Sequence, residues 1–235
     1  MVSARAGMRA QVEPGRAMGF EHILKGVGRY YTQRLVEHGP IARGADWSSE
    51  ASQRLRFEQL LKVCGSPVGE VSLLDFGCGY GALADELLAE GWSFRYQGYD
   101  ISAAMIEAGR VRHFGDARVR FVDDLAALAR ADYVVASGIF NVRLDTPDEA
   151  WEAYMVDMLD RMAALASRGF SFNVLTAYSD PERRRADLYY ADPLRWFQHC
   201  RTRFSRHVAL LHNYALYEFT ILVNLVPLGG SWRSS

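Results

Sequence analysis

The chain has 235 residues, 49% hydrophobic and 23% charged, which is ordinary for a folded protein and long enough for a full core. A formal net charge of −1 excludes a global field that would draw the chain to nucleic acid or to an anionic membrane surface. The three cysteines, Cys64, Cys78 and Cys200, are widely spaced with no Cys-x-x-Cys or Cys/His cluster, so neither a disulfide framework nor a metal site is expected and a reducing, cytoplasmic setting fits best.

Residues 1–19 hold Arg5, Arg9, Glu13 and Arg16 with no apolar centre, and read as a disordered arm rather than a signal peptide. A helical lid is expected over 20–66. It contains a helix from Arg29 to His38 stopped by Gly39-Pro40, a loop to Trp47, and a helix from about Glu50 to Cys64 capped by Ser48 or Ser49. From residue 67 to 229 strands alternate with helices, and 230–235 form a tail. The strands expected are Val71–Phe76, Phe94–Tyr99, Val119–Val122, Tyr133–Ala136 and Phe170–Thr176, with helices Ala82–Glu90 and Ala103 to about Arg112 between them. The clearest helix runs from Pro147 to Ser167, with Thr146 and Glu149 as a capping box and Gly169 as its end. Its stripe of Trp151, Tyr154, Met155, Met158, Leu159 and Met162 reads as core packing.

Two last strands, about His207–His212 and Leu216–Leu225, are joined by a link too short for a parallel crossover and should pair antiparallel. The apolar stretch from Tyr214 to Leu228 is broken by Glu218 and Asn224 and does not suit a bilayer span. The fold class expected is therefore α/β, a doubly wound, mostly parallel seven-stranded sheet with a C-terminal antiparallel hairpin.

The strongest local signal is Asp75-Phe76-Gly77-Cys78-Gly79-Tyr80-Gly81, leaving a strand and opening a helix. Glycines there allow a sharp turn and close approach of a ligand, and the helix offers free N–H groups. Asp100 ends the next strand, where a carboxylate can accept hydrogen bonds from ribose hydroxyls. Gly77-x-Gly79-x-x-Ala82 also satisfies the dinucleotide fingerprint, so a nicotinamide-dependent oxidoreductase is an alternative. Asp75 argues against it: a carboxylate at that point suits an α-amino group or an ordered water and sits badly near a pyrophosphate.

Asp75-x-Gly77-x-Gly79-x-Gly81 resembles motif I of the class I S-adenosylmethionine-dependent methyltransferases, and Asp100-Ile101-Ser102-x-x-Met105-Ile106-Glu107 resembles the motif that follows it. The resemblance covers roughly residues 70 to 140. It implies S-adenosylmethionine as cofactor, with Gly77 and Gly79 at the methionine part, Gly81 as a further close-approach point and Asp100 on the ribose beside Ile101. Asp123 or Asp124 would reach the adenine amino group. Ser137, at the end of the fourth strand, would line the same edge. The lid residues Tyr30, Tyr31, Trp47, Gln53 and Arg56 would cover the cofactor, Trp47 near the sulfonium.

Ser137-Gly138-Ile139-Phe140-Asn141 departs from the Asn/Asp-Pro-Pro-Tyr/Phe pattern of methyltransferases acting on nucleic-acid bases, which favours a small-molecule acceptor, with neither nucleic acid nor membrane as partner. O-methylation of a sugar, nucleotide-linked or phenolic metabolite is expected, with His212, or else His199, as the base. Asn141 is a ligand contact or a turn cap. The segment 181–207 interleaves seven arginines with aromatics, from which Tyr189, Tyr190 and Arg195 are expected on the acceptor and Arg183 to Arg185 in solvent. A catalytically silent binding protein on the same fold is the remaining alternative.

Overall fold

The computed structural model describes residues 19–66 and 68–227. The expected arm, apart from Gly19, and the tail lie outside the described residues. In chain order the elements are α1 (Glu21–His38), α2 (Glu50–Leu61), β1 (Val71–Phe76), α3 (Ala82–Ala89), β2 (Phe94–Tyr99), α4 (Ala103–Arg112), β3 (Val119–Val122), β4 (Ala131–Ala136), α5 (Asp148–Leu165), β5 (Ala166–Leu175), α6 (Pro193–Arg203), β6 (His207–Leu211) and β7 (Glu218–Asn224).

The seven strands form one sheet in the order β3-β2-β1-β4-β5-β7-β6. All neighbours are parallel except β7, which runs antiparallel to both β5 and β6. β1 and β4 lie side by side at the centre, and the chain winds outward from them in both directions. The crevice beyond the carboxyl ends of such a pair is where ligands bind in sheets wound this way.

Helices cover both faces, so the central strands are apolar nearly throughout and buried on both sides. On one face Trp151, Met155, Leu159 and Met162 of α5 pack with Trp196 of α6 against Val134, Phe170, Phe172 and Phe219. The Met and aromatic stripe of α5 is thus core. On the other face Phe57, Leu60 and Leu61 of α2 and Leu83 and Leu87 of α3 pack on Leu73, Tyr96, Tyr133 and Val135. α1 joins the first layer through Ile23 and Val27, so the two N-terminal helices are built into opposite faces of the core.

Several local expectations are corrected. α1 starts at Glu21, well before Arg29, because Gly26 and Gly28, which weaken the helical pattern, are packing positions: a Cβ on Gly28 would lie 3.4 Å from Ile101. The Thr146–Glu149 box does not form. Pro147 takes the N-cap position in an extended conformation, and no side chain caps the helix. α5 passes into β5 at Ala166 without a glycine stop, and Gly169 lies inside the strand, where a Cβ would stand 2.7 Å from the Val223 carbonyl. The closing hairpin is antiparallel as expected, but its link runs from His212 to Tyr217. β7 starts after Tyr217 because Glu218 pairs with Leu175, the last residue of β5.

Candidate active site

The glycine loop is pinned to the end of the neighbouring strand: the Gly77 and Cys78 N–H groups donate to the Tyr99 carbonyl at 2.7 and 2.9 Å. Gly77, Gly79 and Gly81 all have positive φ, at 87, 55 and 85°. Their surroundings differ. A Cβ on Gly77 would stand 2.2 Å from Ile139, and one on Gly81 would stand 2.6 Å from Phe121, so both positions are closed by packing. A Cβ on Gly79 would meet nothing nearer than the Met105 sulfur at 3.9 Å. Open space at the loop's centre is what a ligand needs to approach the backbone.

Asp100 sits at the carboxyl end of β2 and clasps this loop. Its Oδ2 accepts the Gly79 N–H and its Oδ1 the Ser102 N–H, both at 2.8 Å. The loop and strand ends packed round it push its carboxyl up to about 6, against the pull of those two donors. Asp75, buried in β1, accepts the Tyr96 hydroxyl at 2.8 Å, and burial pushes it up to about 7.

These groups border one cavity, about 790 Å³ when the solvent-filled mouth is counted. Its floor is Asp75, Gly77, Gly79, Asp100, Ile101 and Ser137. Its roof comes from the N-terminal segment, with Val27 and Tyr31 of α1, Trp47 of the following turn, and Gln53 and Phe57 of α2; Tyr80, Tyr99, Met105 and Tyr154 close the sides. The Ser137 hydroxyl is buried against the cavity wall without a hydrogen-bond partner.

The remaining expected residues are not on this cavity. Gly81 caps α3 and packs on Phe121 and His113. Asp124 caps its own turn by accepting the Ala126 N–H at 2.8 Å, and Asp123 pairs with Arg110 at 3.3 Å and faces a groove outside α1. Asn141 ties the turn after β4 to two distant segments, its Oδ1 accepting the Leu175 N–H at 3.2 Å and its carbonyl the Tyr189 N–H at 2.8 Å. Tyr189 and Arg195 both bind Glu152 of α5, and the Tyr190 hydroxyl accepts the Arg185 N–H at 2.9 Å. His212 is exposed and stacks on Tyr178 with ring centroids 5.8 Å apart; His199 of α6 is half-buried against Trp196 and Phe204. Much of the basic segment is therefore bound to its own scaffold: Arg183, Arg185, Arg195 and Arg203 pair with carboxylates, Arg184 donates to the Ser179 carbonyl, and Tyr189 binds Glu152. Arg183 to Arg185 are exposed, and Arg185 also reaches the Tyr30 hydroxyl at 3.3 Å and the Asp46 carboxylate at 3.6 Å.

Two polar residues missed from the sequence stand next to the cavity. Glu218, fully buried, forms an ion pair with Arg56 of α2 and accepts from the Asn173 amide at 2.8 Å. The Asn173 Oδ1 in turn accepts the Gly138 N–H at 2.7 Å. The signal is a polar residue in a buried strand: Glu218 reads from the sequence as an interruption of an apolar run, and Asn173 is not singled out by it.

Among the described residues no group of three or more His, Cys, Asp or Glu side chains could hold a metal ion, and no helix is long and apolar enough to cross a membrane.

A family model described as a methyltransferase domain matches residues 74–169. A Mycobacterium tuberculosis protein (strain ATCC 25618 / H37Rv) named "Putative methyltransferase Rv1506c" is 52% identical over 152 residues, spanning 65% of this chain and 92% of its own. Among solved structures, the magnesium protoporphyrin IX methyltransferase of Synechocystis PCC 6803 with bound S-adenosylmethionine superposes with a TM-score of 0.58 at 18% identity, over 86% of this chain and 96% of that one. Human N-acetylserotonin methyltransferase superposes with a TM-score of 0.59 at 17% identity, over 87% and 59%. At those identities the structures establish the shared fold, and the sequence relative establishes the kinship. The chain belongs to the class I S-adenosylmethionine-dependent methyltransferases.

Proposed function

We propose that the cavity binds S-adenosylmethionine along its floor and a small acceptor under its aromatic roof, and that the reaction is O-methylation. One observation carries this reading. The open face of Gly79, the Asp100 carboxylate and the roof residues Tyr31 and Trp47 all border one cavity at the central crevice of the sheet.

The residues fit the cofactor in kind. Asp100 keeps lone pairs for two ribose hydroxyls after accepting two backbone N–H groups. Ile101 offers an apolar face to the adenine. Asp75 suits the α-amino group, directly or through a water, and the partnerless Ser137 hydroxyl can donate to the carboxylate end. When bound, the cofactor supplies a methyl group on a sulfonium, activated for in-line displacement. The protein's part is to hold the acceptor oxygen in line and to keep water out, which is where most of the acceleration arises.

The cavity lining narrows the acceptor. Among the described residues its lining holds no Lys, Arg or His that would give a phosphate or nucleotide-linked acceptor a counter-charge. Nor does a histidine among the described residues line it to deprotonate an alcohol. A phenolic hydroxyl, with a pKa of about 10, needs the least help. Incubation of the protein with methyl-labelled S-adenosylmethionine and a panel of phenols, sugars and nucleotide sugars tests this: label should pass to phenols first. Transfer to nucleotide sugars alone would overturn the acceptor assignment, and cofactor binding with no transfer to any acceptor would favour a silent binding protein.

A further inference from the structure

The roof residue Trp47 is held by a closed circuit of contacts. The Arg56 guanidinium lies over its ring, 4.1 Å from the centroid. Arg56 is fixed by Glu218 and by donating to the Ser52 carbonyl at 2.7 Å. Glu218 holds Asn173, Asn173 holds the Gly138 N–H, and Gly138 returns to Trp47: a Cβ on Gly138 would stand 2.3 Å from the indole edge. The circuit joins the N-terminal segment, β7, β5 and the turn after β4 around one aromatic ring.

A buried ion pair is no better for stability than well-packed apolar side chains of similar size. What this pair does is set the indole plane and place a cation on one of its faces. A guanidinium on one face of an aromatic ring draws π density toward itself. The opposite face then repels a second cation and favours an electron-rich ring stacked on it. A role for Trp47 as cage wall for the sulfonium therefore fits poorly, because the ring's favourable cation position is already filled by Arg56.

We infer that Trp47 is the acceptor platform, selecting a flat, electron-rich aromatic acceptor, and that Arg56, Glu218 and Asn173 are positioning residues for it. This rests on the reading of the cavity as a methyl-transfer site and adds the side chain that selects the acceptor's ring. Offset stacking on an aromatic side chain contributes about 0.5–1.5 kcal/mol beyond area burial, a preference of roughly two- to tenfold over a saturated ring of the same size. Trp47 also supplies shape, since its indole edge fills the space that a side chain at position 138 would need.

The test is calorimetric titration of the protein, saturated with S-adenosylhomocysteine, by catechol and by cyclohexane-1,2-diol. Catechol should bind about two- to tenfold more tightly than the saturated diol. Trp47→Leu should abolish that preference, and Trp47→Phe should restore most of it. Arg56→Lys, which leaves a cation for Glu218 but removes the planar stack, should reduce the preference about twofold. In each variant the loss for catechol should exceed any loss for S-adenosylhomocysteine. Equal binding of the two probes, no binding of catechol, or a preference that survives Trp47→Leu overturns the inference. Failure of the parent protein to bind S-adenosylhomocysteine overturns instead the reading of the cavity.

Discussion

The Asp100 carboxylate accepts the Gly79 N–H at 2.8 Å, so the acid proposed for the ribose is also the clasp of the glycine loop. The two halves of the cofactor site are therefore coupled, and substitutions in either should be read against the geometry of both.

Gly79 and Gly81 should separate binding from stability. Both have positive φ, so an alanine at either is strained by about 1 kcal/mol. At Gly79 the added methyl faces open cavity, and Gly79→Ala should fold with a small loss of stability while weakening S-adenosylhomocysteine about tenfold or more. At Gly81 the methyl would press on Phe121 and His113, so Gly81→Ala should lower the melting temperature further and disturb affinity less. Melting curves with and without ligand check both, and the reverse ranking would mean that Gly81 is the residue facing the cofactor.

Asp75 and Asp100 should give stability and affinity opposite pH dependences. Both carboxyls are raised in the folded chain, to about 7 and about 6, by burial. The native state therefore binds more protons than the unfolded state between the ordinary carboxylate range and neutrality. Stability from these two groups is present at low pH and is lost as pH rises through 6 to 7. The ligand's hydroxyl and amino groups favour the ionised carboxylates, so affinity should rise over the same interval. Asp75→Asn, which can still accept from Tyr96, should raise the melting temperature of the ligand-free protein at pH 7.5 while weakening S-adenosylhomocysteine. A domain of this size gains about 2–4 °C per kcal/mol. A lower melting temperature would show that ionised Asp75 stabilises the apo fold.

Part of the fold was legible because a central strand buried on both faces, such as β1, carries an apolar run. β1, β2 and the edge strand β3 fall where expected, and so do the glycine loop and Asp100 at their strand ends. The roof of the site was harder to read. Tyr31 and Trp47 were legible only as aromatics before the core, since their placement depends on α1 and α2 packing on opposite faces of the sheet. The basic segment misled for a physical reason. Arginine and tyrosine suit a ligand and a neighbouring carboxylate equally, and Glu152, which satisfies both Tyr189 and Arg195, lies far away in sequence.

Arg185 should steady the turn that carries Trp47. Asp46 adopts a left-handed conformation, with φ 61°, and is held by the Tyr30 hydroxyl at 2.7 Å, Arg34 at 3.0 Å and Arg185 at 3.6 Å. Exposed ion pairs contribute about 0–1 kcal/mol, so Arg185→Ala should leave the melting temperature nearly unchanged. Amide exchange at Asp46 and Trp47, whose N–H groups donate to Arg43 and Ala42, should nevertheless quicken. Unchanged exchange would mean that Tyr30 and Arg34 suffice.

Glu218 should be the most sensitive polar position outside the cofactor floor. Glu218→Ala leaves the buried Arg56 cation without its partner, and the loss should reach about 3 kcal/mol by chemical denaturation. Replacing the pair together, Arg56→Met with Glu218→Leu, should recover much of it. A single variant as stable as the parent would show that Arg56 swings into solvent.

The central claim is that this cavity takes S-adenosylmethionine with its ribose on Asp100, and calorimetric titration with S-adenosylhomocysteine tests it most directly. The parent protein should bind one equivalent and show no binding of NAD. Asp100→Ala should remain folded and lose about 1.5–3 kcal/mol of binding free energy, the scale for hydrogen bonds to a charged group. Unaltered affinity in a folded Asp100→Ala protein would contradict the account.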